Sequence, residues 1–164
     1  AGVVLVQHMP AGFTLSLSQR LNEISEVEVK EAQEGDILKN GAVYIAPGGK
    51  HMRVVKKGTD YCIKLSDEPA IDGLRPCANV MYESLENCQY DEITCVVLTG
   101  MGADGTKGIQ GLAAHHKKLH VIAQDADTCV VYGMPKAIAQ TGLVDEVVPL
   151  GSVAETITKN VGVS

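Results

Sequence analysis

Two residues of this sequence could together form the base half of a hydrolase triad. His8 follows the short apolar run Val3 to Val6, and Asp104 lies in a glycine-rich turn after the apolar run Ile93 to Leu98. An Asp that fixes the tautomer of a His allows that His to act as the general base for a nucleophile. Taken alone, each residue has a simpler interpretation, since Asp is a preferred helix N-cap and a loop His is commonly satisfied by backbone groups.

The apolar runs that precede these residues predict the elements that position them. Short continuous apolar runs are typical of buried parallel strands. The carboxyl ends of such strands share one edge of the sheet, which is where α/β folds usually place their chemistry. We therefore expect His8 and Asp104 to face each other at that edge.

The rest of the pattern predicts an α/β fold with a parallel, Rossmann-like three-layer sheet and an antiparallel hairpin insert. The hairpin is predicted from the strand-like segments Met52 to Val55 and Tyr61 to Leu65, which are joined through a Gly-containing turn. Apolar residues at helical spacing predict a helix from Phe13 onward. Ser152 and Glu155 have the spacing of a capping box, which predicts a final helix.

Length and composition limit the class of protein. The 164 residues, 45% hydrophobic, suffice for one domain with a proper core, so we expect a single domain over residues 1–164. The formal charge of −6 argues against nucleic acid as a partner. No run is apolar enough to span a membrane or to resemble a signal peptide, and the five cysteines are odd in number without a CxxC pair, so we expect reduced thiols and a cytoplasmic protein.

The glycine turn has a second interpretation as a nucleotide-binding loop. Gly100, Gly102 and Gly105 fit the pattern GxGxxG between a strand and a helix, and Asp125 lies at the end of the next strand, where a dinucleotide site would need an acid. Against this, Asp104 places a carboxylate at the helix N-terminus where a pyrophosphate would bind. A nucleotide-binding module using these glycines remains the alternative.

Other polar clusters are weaker candidates. The basic stretch His115 to His120 has no carboxylate or cysteine at ligand spacing beside it, so no metal site is predicted there. His51 could line the same sheet edge or merely end a turn. Cys77 lies near Arg75 and could be an activated thiol or an ordinary small residue at a helix start. No cofactor is predicted.

Four separate strings of the sequence resemble one family. They are QHMPAGF (Gln7 to Phe13), YIAPGGKHM (Tyr44 to Met52), LTGMGADG (Leu98 to Gly105) and VVYGMPKAI (Val130 to Ile138). Together, and in this order, they resemble the catalytic domain of CheB-type chemotaxis protein-glutamate methylesterases. The likeness covers nearly the whole chain.

The resemblance implies a serine-type hydrolase that removes glutamate methyl esters from the cytoplasmic signalling helices of chemoreceptors and deamidates certain receptor glutamines. It implies that His8 is the general base and that Asp104 orients it. It also implies that Met101 contributes its backbone N–H to an oxyanion hole. A receiver domain would be the regulatory partner.

The resemblance also implies a nucleophile that this sequence lacks. The family serine lies in a Gly-x-Ser-x-Gly-Gly turn upstream of the Gln-His-Met-Pro string, and no such string occurs here. We therefore expect an N-terminally truncated catalytic domain, without the nucleophile strand and the receiver domain, that is inactive as written and prone to dimerise. Ser16 and Ser18 lie beyond the turn and do not suit the role. A non-catalytic receptor-docking domain is the remaining alternative.

Overall fold

The structure is a computed structural model that describes residues 1–115 and 118–162. Contacts divide the chain into two compact units, Ala1–Cys88 and Gln89–Ser164, called unit 1 and unit 2 below. The expectation of one domain over residues 1–164 stays a prediction.

Unit 1 contains a parallel sheet, an antiparallel hairpin and two helices. Its elements are β1 (Val3–Leu5), α1 (Phe13–Ile24), β2 (Glu28–Glu31), β3 (Ala42–Ile45), β4 (His51–Lys57), β5 (Asp60–Ser66) and α2 (Ala78–Ser84). The parallel sheet has the order β1-β3-β2, and β4 pairs with β5. Residues of β3 such as Tyr44 and Ile45 are almost fully buried because this strand is central.

The hairpin forms where the sequence predicts it. β4 and β5 pair in antiparallel register from His51 with Ser66 to Lys57 with Asp60. Gly58 in the connecting turn has a φ of 64°, a left-handed conformation that glycine adopts readily. Helix α2 packs on β4.

Helix α1 forms as predicted, and its most buried residues are polar. Thr14 and Ser18 are the buried residues of the helix, whereas Phe13 and Ile24 are each 62% exposed. Within unit 1 the helix packs on β2, and Thr14 faces Glu31 of that strand. Leu17 and Leu21, the other two apolar residues at helical spacing, are half-buried, so the apolar stripe is only partly buried.

Unit 2 is a second parallel α/β arrangement. Its elements are β6 (Ile93–Val97), α3 (Thr106–His115), β7 (Leu119–Gln124), α4 (Met134–Ala139), β8 (Glu146–Val148) and α5 (Val153–Val161). The strand order is β6-β7-β8, and both pairs are parallel. The predicted α/β class, with parallel strands and an antiparallel hairpin, is confirmed.

The predicted capping box at the start of α5 does not form. Ser152 is the N-cap residue, but its side chain makes no capping hydrogen bond. It is the last residue of a short 3-10 turn, Leu150–Ser152, with φ −105° and ψ −3°. An N-cap side chain usually reaches its helix from an extended backbone, so this turn conformation does not suit the bond.

All five cysteines are free thiols, as expected. Burial raises the pKa of the Cys95 thiol to about 12, so it is protonated and unreactive at neutral pH. Cys129 lies in an apolar run of the sequence, which predicts a core position, but it is only half-buried. Within the two described ranges, no helix is both long and apolar enough to cross a membrane.

Candidate active site

Asp104 lies in a tight turn between β6 and α3 in unit 2. Its side chain is buried, with 7% of the residue exposed, and α3 begins two residues later at Thr106. Gly102 and Gly105 have φ angles of 83° and 98°, which non-glycine residues rarely adopt. The glycine-rich sequence therefore allows the chain to turn back directly after the strand and to hold the carboxylate there.

A second loop fastens this turn through backbone hydrogen bonds. The Gly100 N–H donates to the Val131 carbonyl at 3.1 Å, and the Gly100 carbonyl accepts from the N–H groups of Gly133 and Met134 at 3.2 and 2.8 Å. Gly100 also forms a parallel bridge with Tyr132. The turn that contains Met101 and Asp104 is thus held in place on one side by residues 131–134.

This fastening requires glycine at position 133. A Cβ atom there would lie 2.6 Å from the Gly100 carbonyl oxygen and 3.0 Å from the Gly102 nitrogen, closer than such atoms normally approach. The two loops could not stay at their present distance with a larger residue. Sequence analysis did not identify Gly133 as a positioning residue, although it lies within the VVYGMPKAI string.

Gln124, at the end of β7, forms hydrogen bonds to the start of the glycine turn and to the loop that follows β7. It is 1% exposed, its Oε1 accepts from the Thr99 N–H at 2.8 Å, and its Nε2 donates to the Thr128 carbonyl at 2.9 Å. A buried amide with these partners fixes the start of the glycine turn relative to the next loop. Sequence analysis gave Gln124 no role.

Asp125 forms a local turn directly after β7. Its Oδ1 accepts hydrogen bonds from both the N–H and the hydroxyl of Thr128, at 3.0 and 2.6 Å. These bonds close the turn and engage one of the two carboxylate oxygens. The structure therefore gives the nucleotide-binding interpretation no support.

His8 lies in an exposed segment directly after β1 in unit 1. The segment rests on Gly48, where a Cβ atom would lie 2.4 Å from the Pro10 carbonyl and 2.5 Å from the Met9 carbonyl oxygen. Gly48 is therefore required for the backbone beyond His8 to follow its path. This role also escaped sequence analysis, because it depends on contact between segments far apart in the sequence.

A buried threonine connects this segment to the sheet of unit 1. Thr14 is fully buried, and its hydroxyl donates to Glu31 at 2.6 Å while accepting from the Gly48 N–H at 2.9 Å. The hydroxyl thus joins the start of α1, the end of β2 and the turn after β3. Helix α1 follows the segment that carries His8, and the turn after β3 contacts that segment at Gly48.

The other candidates of the sequence analysis are committed to different contacts. His51 is 1% exposed and its Nε2 lies 2.9 Å from the Pro69 carbonyl oxygen, so it is part of the interior of unit 1. Cys77 is 2% exposed, which does not suit a reactive thiol. Ser18 is 1% exposed and donates to the Leu15 carbonyl, so it is not available as a nucleophile.

The basic stretch His115 to His120 is only partly described, since residues 116 and 117 lie outside the described ranges. His120 Nε2 is 2.7 Å from a carboxylate oxygen of Glu146, which Asn160 also contacts. These bonds lower the pKa of Glu146 below its usual value. No group of acidic, histidine or cysteine side chains suited to holding a metal ion occurs in the part of the chain that the structure describes.

His8 and Asp104 thus each follow the carboxyl end of an edge strand. β1, before His8, is an edge strand of the unit 1 sheet, and β6, before Asp104, is an edge strand of the unit 2 sheet. The structure places Met101 and Asp104 in the same turn. The hypothesis that His8 and Asp104 form a pair stays a prediction.

Comparison with known proteins gives one consistent result. A sequence model described as CheB methylesterase matches residues 1–157. The chain is 44% identical over 161 residues to a protein-glutamate methylesterase/protein-glutamine glutaminase of Desulfotalea psychrophila, covering 97% of this chain and 44% of that protein. It is 47% identical over 160 residues to the protein of the same name from Oceanobacillus iheyensis, covering 97% and 45%. The chain therefore spans less than half the length of these relatives.

A solved structure is similar over almost the whole chain. The crystal structure of the Thermotoga maritima CheB methylesterase catalytic domain superimposes with a TM-score of 0.92 at 39% sequence identity. The match covers 98% of this chain and 84% of that one. The similarity includes both units.

Proposed function

Because this chain belongs to the CheB methylesterase family, we propose that it is catalytic sequence of a serine-type hydrolase that demethylates glutamate side chains of chemoreceptors. Deamidation of receptor glutamines is part of the same proposal, in keeping with the double name of the relatives. The expected substrates are the cytoplasmic helices of methylated chemoreceptors, a receiver domain is the expected regulator, and the expected location is the cytoplasm.

The observation that carries this proposal is the fastened turn after β6. It holds the buried Asp104 carboxylate and the Met101 backbone within one short segment whose position is fixed by the hydrogen bonds of Gly100. Catalytic groups must be held close to their working geometry before the substrate arrives. A turn fixed in this way suits an orienting acid and an oxyanion donor.

In the proposed mechanism, the imidazole of His8 takes the proton of a serine hydroxyl as that oxygen attacks the ester carbonyl. Asp104 orients the imidazole and stabilises its protonated form. The Met101 N–H donates to the oxyanion of the tetrahedral intermediate. His8 then protonates the leaving methanol, and a water molecule repeats the sequence on the acyl-enzyme. The proposed reaction uses no metal or cofactor.

The 164-residue sequence does not supply the nucleophile of this mechanism. It contains no Gly-x-Ser-x-Gly-Gly string, and Ser18 is buried with its hydroxyl bonded to a backbone carbonyl. We expect the 164-residue polypeptide alone to release methanol from methylated receptors at a rate about a millionfold below that of an intact triad. Methanol release at a normal enzymatic rate from this polypeptide would contradict that expectation.

The test of the proposed function uses the complete gene product and a chemoreceptor cytoplasmic fragment methylated in vitro. Methanol release is expected from the wild type, with losses of about 10⁴-fold or more in kcat for His8→Ala and Asp104→Asn. Equal methanol release by the wild type and both variants would refute the assigned roles. Receptor binding without any hydrolysis would instead favour a non-catalytic docking domain.

A further inference from the structure

Four apolar side chains lie exposed beside the Asp104 turn in unit 2. Val130 is 91% exposed and Met101 is 81% exposed, while Val131 and Tyr132 are 39% and 37% exposed. We call Met101 and Val130–Tyr132 the apolar ledge. Single exposed apolar residues are common, but neighbouring ones on one surface are typical of a binding site.

The backbone of the ledge is held in place by hydrogen bonds to Thr99 and Gly100. The Thr99 hydroxyl accepts from the Val131 N–H at 2.9 Å and lies 3.1 Å from the Val131 carbonyl oxygen, to which it donates. Thr128, two residues before Val130, is fixed by Asp125 and Gln124. The exposure of Val130 therefore results from a defined loop conformation.

The ledge is continuous with the proposed oxyanion site. Gly100, which precedes Met101, forms a backbone bridge with Tyr132. The same Gly100 accepts hydrogen bonds from the two residues that follow Tyr132. A molecule whose carbonyl oxygen reaches the Met101 N–H would extend over the residues next to it.

The acidic residues near the ledge disfavour an anionic occupant. Asp127 is exposed in the turn just before Cys129, and Asp125 lies at the beginning of that turn. A glutamate methyl ester is neutral, whereas the product of its hydrolysis is a carboxylate. Like charges near each other disfavour binding, so this surface would bind the methyl ester more tightly than the carboxylate product.

We propose that the apolar ledge binds the apolar flank of the receptor helix next to the methylated glutamate, and so selects helical substrate over other esters. This inference rests on the proposed function and assigns a substrate-binding role to Val130, Val131 and Tyr132. Apolar contact supplies the affinity. The neighbouring acidic residues assist release of the demethylated product.

The test compares two substrates in the complete gene product. Val130→Asp is assayed with the methylated chemoreceptor fragment and with p-nitrophenyl acetate, a small ester that cannot span the ledge. Placing a charge where an apolar contact is expected should lower the ratio of kcat/KM for the receptor fragment to kcat/KM for the small ester about tenfold or more. Most of the change should appear as a higher KM for the receptor fragment.

Val147→Asp is the matched control, because Val147 is also apolar and 58% exposed in unit 2 but lies on β8. It should leave the ratio unchanged. The proposal is overturned if Val130→Asp lowers activity toward both substrates equally, or if it leaves the ratio unaltered. A change in oligomeric state with an unaltered ratio would show that a second copy of the chain covers the ledge, and this too overturns the proposal.

Failure of this inference differs from failure of the proposed function. If the wild-type gene product hydrolyses neither substrate, the assignment as a methylesterase fails and with it the inference that rests on it. If the wild type hydrolyses both and the ratio does not depend on Val130, the methylesterase assignment stands and only the ledge is refuted.

Discussion

Gly133 shows how a single residue without a side chain can fix the geometry of a site. Its backbone N–H bonds the Gly100 carbonyl, and its Cα lies so close to Gly100 and Gly102 that a methyl group would collide with them. Its φ of −106° is open to any residue, so the close approach alone requires glycine. The constraint concerns the position of the Met101 N–H, which lies between those two glycines.

We expect Gly133→Ala to lower kcat for receptor demethylation about 10²-fold in the complete gene product, because displacing an oxyanion donor by about 1 Å costs this much. Methanol release measures the effect. Gly151→Ala is the control, since an added Cβ at Gly151 meets no atom within 4 Å. A full rate for Gly133→Ala would show that Met101 does not depend on this contact.

The contacts of Glu146 predict that unit 2 becomes less stable at acidic pH. The His120 hydrogen bond, followed by that of Asn160, holds the pKa of the Glu146 carboxyl below its usual value. A carboxyl whose pKa is lower in the folded state stabilises the fold above its unfolded pKa, and this contribution disappears as the pH falls through the folded pKa. We expect the urea midpoint of unfolding to fall as the pH is lowered below 4.5, the ordinary pKa of a glutamate.

Glu146→Gln isolates this contribution. It keeps a hydrogen-bonding side chain but removes the titrating group, so the urea midpoint should be lower at neutral pH and should change less on acidification than in the wild type. Parallel curves for the two proteins would show that other carboxyls, such as Asp67 and Glu68 with their own lowered pKa values, dominate the acid response.

The sequence correctly predicts that His8 and Asp104 each follow a strand, because each comes after an apolar run. It does not predict Gly48, Gly133 or Gln124, whose roles depend on atoms brought close by folding. A glycine at a positive φ can be anticipated from turn chemistry, whereas a glycine required by close approach of another segment cannot.

At the scale of elements, the hydroxyl of Thr14 joins α1 to β2 and to the turn after β3. It is fully buried and makes one hydrogen bond as donor and one as acceptor. Thr14→Val keeps the volume but leaves the Gly48 N–H and the Glu31 carboxylate without this partner. We expect a loss of about 1–3 kcal/mol in unfolding free energy, because buried polar groups without partners are costly.

Thermal unfolding measures this loss, which corresponds to a decrease of roughly 2–10 °C in the midpoint for a chain of this size. Thr158→Val, at an exposed position of α5, is the control and should change the midpoint little. An equal midpoint for Thr14→Val and the wild type would mean that water replaces the hydroxyl at no cost.

Element types follow from the sequence more reliably than element faces. The hairpin of β4 and β5 was predicted from two strand-like segments and a Gly-containing turn, which are local features. The most buried residues of α1 were not predicted, because apolar spacing does not reveal that Thr14 and Ser18 are buried or that Thr14 binds Glu31. Local sequence determines whether a segment forms a helix or a strand, whereas contacts with other segments determine which of its residues are buried.

At the scale of the whole molecule, each parallel sheet has open edges. Among the described residues, β1 pairs with β3 and β6 pairs with β7, each on one side only. Unpaired N–H and C=O groups along such edges tend to pair with another chain. We expect the 164-residue polypeptide to self-associate, which light scattering would detect as a mass above 17.4 kDa that rises with concentration.

Val3→Lys tests which edge is responsible. Val3 is 41% exposed on β1, and a lysine on an edge strand is a common device against pairing between chains. The variant should lower the mean mass at a given concentration. A wild type that is monomeric at all concentrations would contradict the prediction. An unchanged mass for the variant would mean that self-association occurs through β6 or through exposed apolar side chains.

The partial exposure of Cys129 offers a practical benefit. The other four thiols are buried, whereas this one adjoins Val130. A maleimide dye should therefore attach selectively at this position, leaving His8 and Asp104 in their native form. Its emission would then serve as an optical reporter of receptor docking in real time.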